Sequence, residues 1–149
     1  MSTDKTNSLK LIGKNQDDLK VISSYLQDSI VIVKDIVFLE KNKTFIMIVN
    51  RFMWEDVEKG LFRENKRIRC AIKFESVLKV ISKNINQKKI NKPLECLAVK
   101  CSSIHDETYE INFFFAGNGL ITIISEAIEV LMNDLGKPWK VKHVPIHKI

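Results

Sequence analysis

Apolar residues recur along the chain with two different periods, and each change of period marks an element. Leu9 to Ile12 is a short strand candidate. Asn15 stands where a helix N-cap is expected, since its side-chain oxygen can accept a backbone N–H of the first turn. Asp17 and Asp18 place negative charge at the positive end of the helix dipole. Leu19, Ile22 and Leu26 follow at helical spacing, widened by Val21 and Tyr25, and predict an amphipathic helix covering one face of a sheet.

From Ile30 the period becomes two. Ile30 to Val33 and Ile36 to Leu39 are β-branched runs broken by Lys34-Asp35, and the polar cluster Glu40 to Lys43 turns the chain. Thr44 to Trp54 is apolar on both parities, which predicts a strand at the centre of the fold, buried on both sides or lying between a helix and the opposite wall of a barrel. Arg67 to Phe74 alternates, with Ile68, Cys70, Ile72 and Phe74 inward and Arg67, Arg69 and Lys73 outward. Val77 to Ser82, Leu94 to Cys101 and Thr108 to Phe115 are further strands. Glu55 to Lys66, with one helical turn at Trp54 to Val57, and Lys83 to Pro93 are loops. Ala116-Gly117-Asn118-Gly119 predicts a tight hairpin returning through Leu120 to Ile124. Ser125 as N-cap, the stripe Ile128, Leu131 and Leu135, then Gly136 and Pro138, predict a C-terminal helix over Ser125 to Leu135.

Strands in succession without intervening helices favour an α+β fold built on an antiparallel meander or barrel. Seven strands closed by a terminal helix resemble the pleckstrin-homology-like barrel, with the N-terminal strand and helix as an addition. A split sheet with both helices on one face is the alternative. The expected organisation is a flexible N-terminus at 1–8, a single domain at 9–140 and a tail at 141–149. No internal repeat is visible in the sequence.

Composition narrows the function classes. With 45% hydrophobic and 28% charged residues, the chain is that of a globular domain and not a disordered one. No apolar stretch approaches the length of a membrane span, and Met1 to Ser8 lacks the pattern of a secretory signal. The three cysteines are therefore expected as thiols in a cytoplasmic setting. The net charge of +6 comes mainly from Lys in a chain also rich in Asn and Ile. Lys lacks the bidentate fork that suits phosphate and base edges, so nucleic acid is not the expected partner.

Candidate chemistry is sparse. Cys96, Cys101 and His105, with His143 and His147, are a conceivable ligand set. Yet Cys96 lies within a strand, where a free thiol is usually a small buried hydrophobe, so neither metal nor cofactor is expected. Gly117-Asn118-Gly119 joins two strands and reads as a turn, not a phosphate loop. The most suggestive stretch is Asn50-Arg51-Phe52-Met53-Trp54-Glu55, at the end of the most buried strand, where polar groups open onto a loop. Tyr25-Leu26-Gln27-Asp28 is expected to face the same region, which adds Gln27 and Asp28 to the candidate residues. The alternative for the same residues is that Arg51 pairs with a nearby carboxylate and Trp54 plugs the barrel mouth.

Tyr25-Leu26-Gln27-Asp28, Asn50-Arg51-Phe52-x-Trp54-Glu55, Phe115-Ala116-Gly117 and Asp134-Leu135-Gly136-x-Pro138-Trp139 carry a resemblance. In this order and spacing they are similar to a family of uncharacterised alphaproteobacterial proteins, a domain of unknown function of about this length. The resemblance implies no catalytic or binding residue. The expected function is a non-enzymatic binding or adaptor module of the pleckstrin-homology-like type, taking a protein or small ligand. A small-molecule protein or enzyme using Asn50, Arg51, Trp54, Glu55, Gln27 and Asp28 is the first alternative. RNA binding through the Lys-rich surface is the second.

Overall fold

The computed structural model describes residues 8–55 and 65–142. The expected N-terminal tail, most of the loop after Trp54, and His143 and His147 fall outside the described residues. The elements are β1 (Lys10–Gly13), α1 (Gln16–Leu26), β2 (Ile30–Leu39), β3 (Thr44–Phe52), β4 (Lys66–Phe74), β5 (Val77–Lys83), β6 (Pro93–His105), β7 (Thr108–Phe115), β8 (Gly119–Ser125) and β9 (Val130–Lys140). All neighbouring strands are antiparallel, in the order β1-β9-β4-β3-β2-β6-β7-β8-β5.

The sheet consists of two meanders that exchange their fourth strands. β2-β3-β4 is one and β6-β7-β8 the other, joined where Ile30 to Ile32 pair with Glu95 to Pro93. β5 follows β4 in sequence but pairs with β8, while β9 follows β8 but pairs with β4. From β9 to β5 the order therefore reads the same from both ends when β2 to β5 are matched with β6 to β9. Where the two connections pass, Glu75 N–H donates to Glu129 O at 2.9 Å and Glu126 N–H to Ser76 O at 2.9 Å. The buried Ser125 hydroxyl is 2.9 Å from Ser76 O and 2.6 Å from Ala127 O. These bonds satisfy backbone groups that leave the ladder at the crossing.

α1 forms as the pattern predicts. Asn15 Oδ1 accepts from Asp18 N at 2.8 Å, and Leu19, Ile22 and Leu26 are buried. The helix packs on β6 and also touches β1 and β3, so it covers the core face of the sheet. Val21 is half exposed and does not join the stripe. Phe74 and Phe113 meet edge to face at 5.7 Å, which brings the two meanders into one core.

The C-terminal helix expected over Ser125 to Leu135 is not formed; Val130–Lys140 is a strand between β1 and β4. The buried positions are Ile128, Val130, Met132 and Asp134, a period of two, whereas Leu131 is half-buried and Leu135 exposed. Pairing on both edges outweighs the weak helical pattern of a segment containing Val130, Asn133, Asp134 and Gly136. Gly136 (φ +69°) serves a bulge, because Leu135 and Trp139 face Arg69 and Arg67 with an irregular register. Pro138 sits in that bulge, where no ladder bond is required of it.

Three smaller expectations also change. Lys34-Asp35 does not divide two strands; it lies in a bulge within β2 between Val31 and Ile36. β3 buries Phe45, Met47, Val49 and Arg51, but Ile46 and Ile48 are only half-buried, so it is covered fully on one face. The sheet is open, with β1 and β5 as its ends.

Candidate functional site

Arg51 occupies an inward position of β3, in phase with Phe45, Met47 and Val49, and is fully buried. A guanidinium there must be paired, since burying an isolated charge is very costly. Asp134 from β9 takes Nε at 2.8 Å and Nη2 at 2.8 Å. Glu55 takes Nη1 at 2.9 Å and Nη2 at 2.7 Å. Tyr25 from α1 lies with its ring 5.7 Å from the guanidinium carbon. Burial works to lower the Arg51 pKa, and the bonds to Asp134 and Glu55 outweigh it, so the group stays charged. Asp134 Oδ2 also accepts from Leu9 N at 2.9 Å, which ties the chain before β1 into the cluster. Burial and the nearby Asp134 push the Cys70 thiol up to about 12.

The other residues proposed from the sequence gather beside this cluster. Trp54 donates its indole N–H to Gln27 O at 2.8 Å and meets Phe52 edge-on at 4.6 Å. Asp28 is buried with φ of 64°, and its N–H donates to Cys96 O at 2.7 Å. Asp28 O and Asn50 O both accept from Arg67 Nη1, each at 3.0 Å. Gln27, Asp28 and Asn50 thus contribute backbone carbonyls, and the buried Asp28 carboxylate also acts on Arg67. Segments far apart in sequence meet here: Tyr25 to Asp28, Asn50 to Glu55, and Asp134.

Arg67 was not singled out in the sequence, where it reads as an outward residue of an alternating strand. In the fold it faces Phe52 across the β3–β4 pair and lies over that ring at 5.7 Å. Only the strand register could have revealed it. Arg67 lines a cavity of about 540 Å³ together with Ile30, Lys92, Leu94, Glu95 and Gly117.

A second opening of about 350 Å³ lies between β2 and β5. Val33, Ile36 and Phe38 form one wall, Val80 and Ser82 the other, and Phe45 and Ile121 the floor. Ile36 to Leu39 pair with β3 alone and β5 pairs with β8 alone among the described residues. Val37 and Leu39 of β2, and Leu78 and Ile81 of β5, are exposed on the same two strands. Val77 N–H bonds Lys43 O at 2.8 Å, which holds the start of β5 beside the β2–β3 turn.

Cys70, Cys96 and Cys101 are free, with Cys96 in the core. No group of three His, Cys, Asp or Glu among the described residues is placed to hold a metal ion. No helix among them is long and apolar enough to cross a membrane.

No curated protein and no solved structure matches the chain. A family model described as protein of unknown function (DUF2948) matches residues 9–147, nearly the whole chain. The protein belongs to that family.

Proposed function

We propose that the protein is a non-enzymatic, cytoplasmic binding module that takes an extended segment of a partner protein into the groove between β2 and β5. The observation that carries this reading is an apolar groove walled by β5 and by the Ile36 to Leu39 part of β2, each paired on one side only among the described residues. Unpaired strand edges offer backbone donors and acceptors to an added strand, and side-chain pockets beside them select its sequence. Natural sheets usually guard such edges with charge, yet Val37, Leu39, Leu78 and Ile81 are exposed here. Lys34, Lys79 and Lys83 outnumber Asp35 on the same strands or their bulge, so an apolar segment flanked by Asp or Glu is the fitting partner.

In this reading the Asn50–Glu55 stretch acts by positioning. Arg51 and Glu55, with Asp134, hold β3 to β9; Trp54 and Gln27 fix the end of α1; Asp28 and Asn50 place Arg67. The likeness to a pleckstrin-homology-like module is then one of construction, a curved antiparallel sheet sealed by one amphipathic helix. That helix is α1, at the opposite end of the chain from the expected one.

The test is selection from a display library of ten-residue peptides, followed by titration of the selected peptide into native protein and Val80→Glu. Val80 is half-buried on the groove wall, so the carboxylate should weaken binding at least tenfold while the circular dichroism spectrum is kept. An absence of enriched sequences, or equal binding by V80E, would refute the groove.

A further inference from the structure

The Arg67 cavity shares no lining residue with the β2–β5 groove, although the 84–92 segment borders both. Its guanidinium is held on one side only: Nη1 donates to Asp28 O and Asn50 O, and the side chain lies over Phe52. Nε and Nη2 make no hydrogen bond among the described residues, and they form the face of the fork that suits a carboxylate. Two carbonyls and a ring fix the fork before any ligand arrives, which lowers the entropy lost on binding.

The buried Asp28 carboxylate and, more weakly, Glu95 act on Arg67 electrostatically; Glu95 lines the same cavity, yet it forms no ion pair with Arg67 within 4.0 Å. A positive and a negative side chain thus face one cavity with a gap between them. Ile30 pairs directly with Glu95 across β2 and β6, so an apolar side chain stands beside the carboxylate. Pro93, on the same face of β6 as Glu95, extends that apolar wall. Lys92 adds a second positive charge at the rim, and Gly117 of the β7–β8 turn completes the lining. Gly117 has φ of +79°, and a Cβ there would meet nothing within 4 Å, so the glycine is required by the turn and leaves the rim open.

We infer that this cavity binds a free α-amino acid with an apolar side chain, its carboxylate on Arg67, its ammonium on Glu95 and its side chain against Ile30 and Pro93. A dianionic phosphate fits less well, because Glu95 repels it. A carboxylate alone uses only half of the site. The volume of about 540 Å³ is ample for such a ligand.

Thermal-shift and calorimetric titrations with leucine, N-acetyl-leucine, leucinamide and inorganic phosphate test the assignment. The expected order is leucine first, with the acetylated and amidated forms at least tenfold weaker and phosphate without effect. Glu95→Gln should reduce leucine affinity at least tenfold yet leave N-acetyl-leucine unchanged, a difference that misfolding would not produce. Arg67→Lys should weaken both. No leucine binding at 10 mM, on the order of the weakest affinities such a site gives, would overturn the inference. So would equal binding of leucine and N-acetyl-leucine, preference for phosphate, or full retention of affinity in either variant. Val80→Glu leaves this binding intact, which separates the cavity from the groove.

Discussion

Replacing Asp134 by Asn is expected to destabilise the fold more than any surface change, although the two side chains have the same shape. Asp134 is the acceptor for Nε and Nη2 of the fully buried Arg51 and for the Leu9 N–H. Asn supplies one oxygen and one amide nitrogen, so an N–H of Arg51 or of Leu9 then faces another donor. The remaining charged partner, Glu55, is 23% exposed at its side chain and holds only the outer part of the guanidinium. Removing one member of a buried ion pair costs about 3–5 kcal/mol when the other charge is left uncompensated; Glu55 still pairs with Arg51, so the low end, about 3 kcal/mol, applies. For a chain of this size that lowers the thermal midpoint by about 6–12 °C. Urea unfolding followed by tryptophan fluorescence measures it directly. Arg51→Met with Asp134→Leu removes both charges, and this pair should be at least about 2 kcal/mol more stable than D134N. A D134N protein within about 0.5 kcal/mol of the parent, with an unchanged denaturant slope, would refute the reasoning.

Three further outcomes follow from other parts of the molecule. The Lys73 ammonium bonded to Glu75 holds that carboxyl below its usual range, against a smaller opposing effect of burial and with help from Thr44. A depressed carboxylate adds stability above the unfolded value of about 4.3 and loses it as pH falls through the folded value. Glu75→Gln should therefore lower the urea midpoint at neutral pH and leave it unchanged near pH 3, by less than about 1 kcal/mol because the pair is solvent-exposed. A gap of the same size at both pH values would contradict the ion pair. Burial pushes Cys70 and Cys96 up to about 12 each, while Cys101 is only half-buried. A thiol reagent at pH 8 should label Cys101 alone in native protein and all three in urea; native labelling of Cys96 would contradict its place in the core. Gly136→Ala meets open space but keeps φ of +69°, so it should cost about 1–2 kcal/mol from backbone conformation alone. A neutral result would mean that the β9 bulge is not built as described.

Local chemistry made much of this fold legible. The Asn15 cap, the Leu19, Ile22 and Leu26 stripe, the alternation of Ile68 to Phe74 and the Gly117-Asn118 turn all correspond to observed elements. The failure at Ser125 to Leu135 is equally physical. Ile128, Leu131 and Leu135 fit a helical period, while Ile128, Val130, Met132 and Asp134 fit a strand, and the decision lies with β1 and β4 on either side. Sequence neighbours cannot report that partnership. The exchange of β5 and β9 was hidden for the same reason, since nothing local to Glu75-Ser76 or Glu126 to Glu129 says that the chain crosses to the other meander. At the candidate site, the alternative reading of Arg51 as paired with a carboxylate matches the observed contacts, but its partner Asp134 was assigned to a helix. Arg67 stayed invisible because its role depends on register against Phe52 and on carbonyls from two other elements.

The central claim concerns the two strand edges beside the groove, and amide hydrogen exchange by NMR tests it most directly. Adding the display-selected peptide should slow exchange at outward-facing amides of Ile36 to Leu39 and of Leu78 to Lys83, as a new strand takes up their hydrogen bonds. The β4–β9 amides at the far side of the sheet should be unchanged. Protection confined to the Lys83 to Pro93 loop, or no protection at either edge while the peptide is bound, would contradict strand addition in this groove.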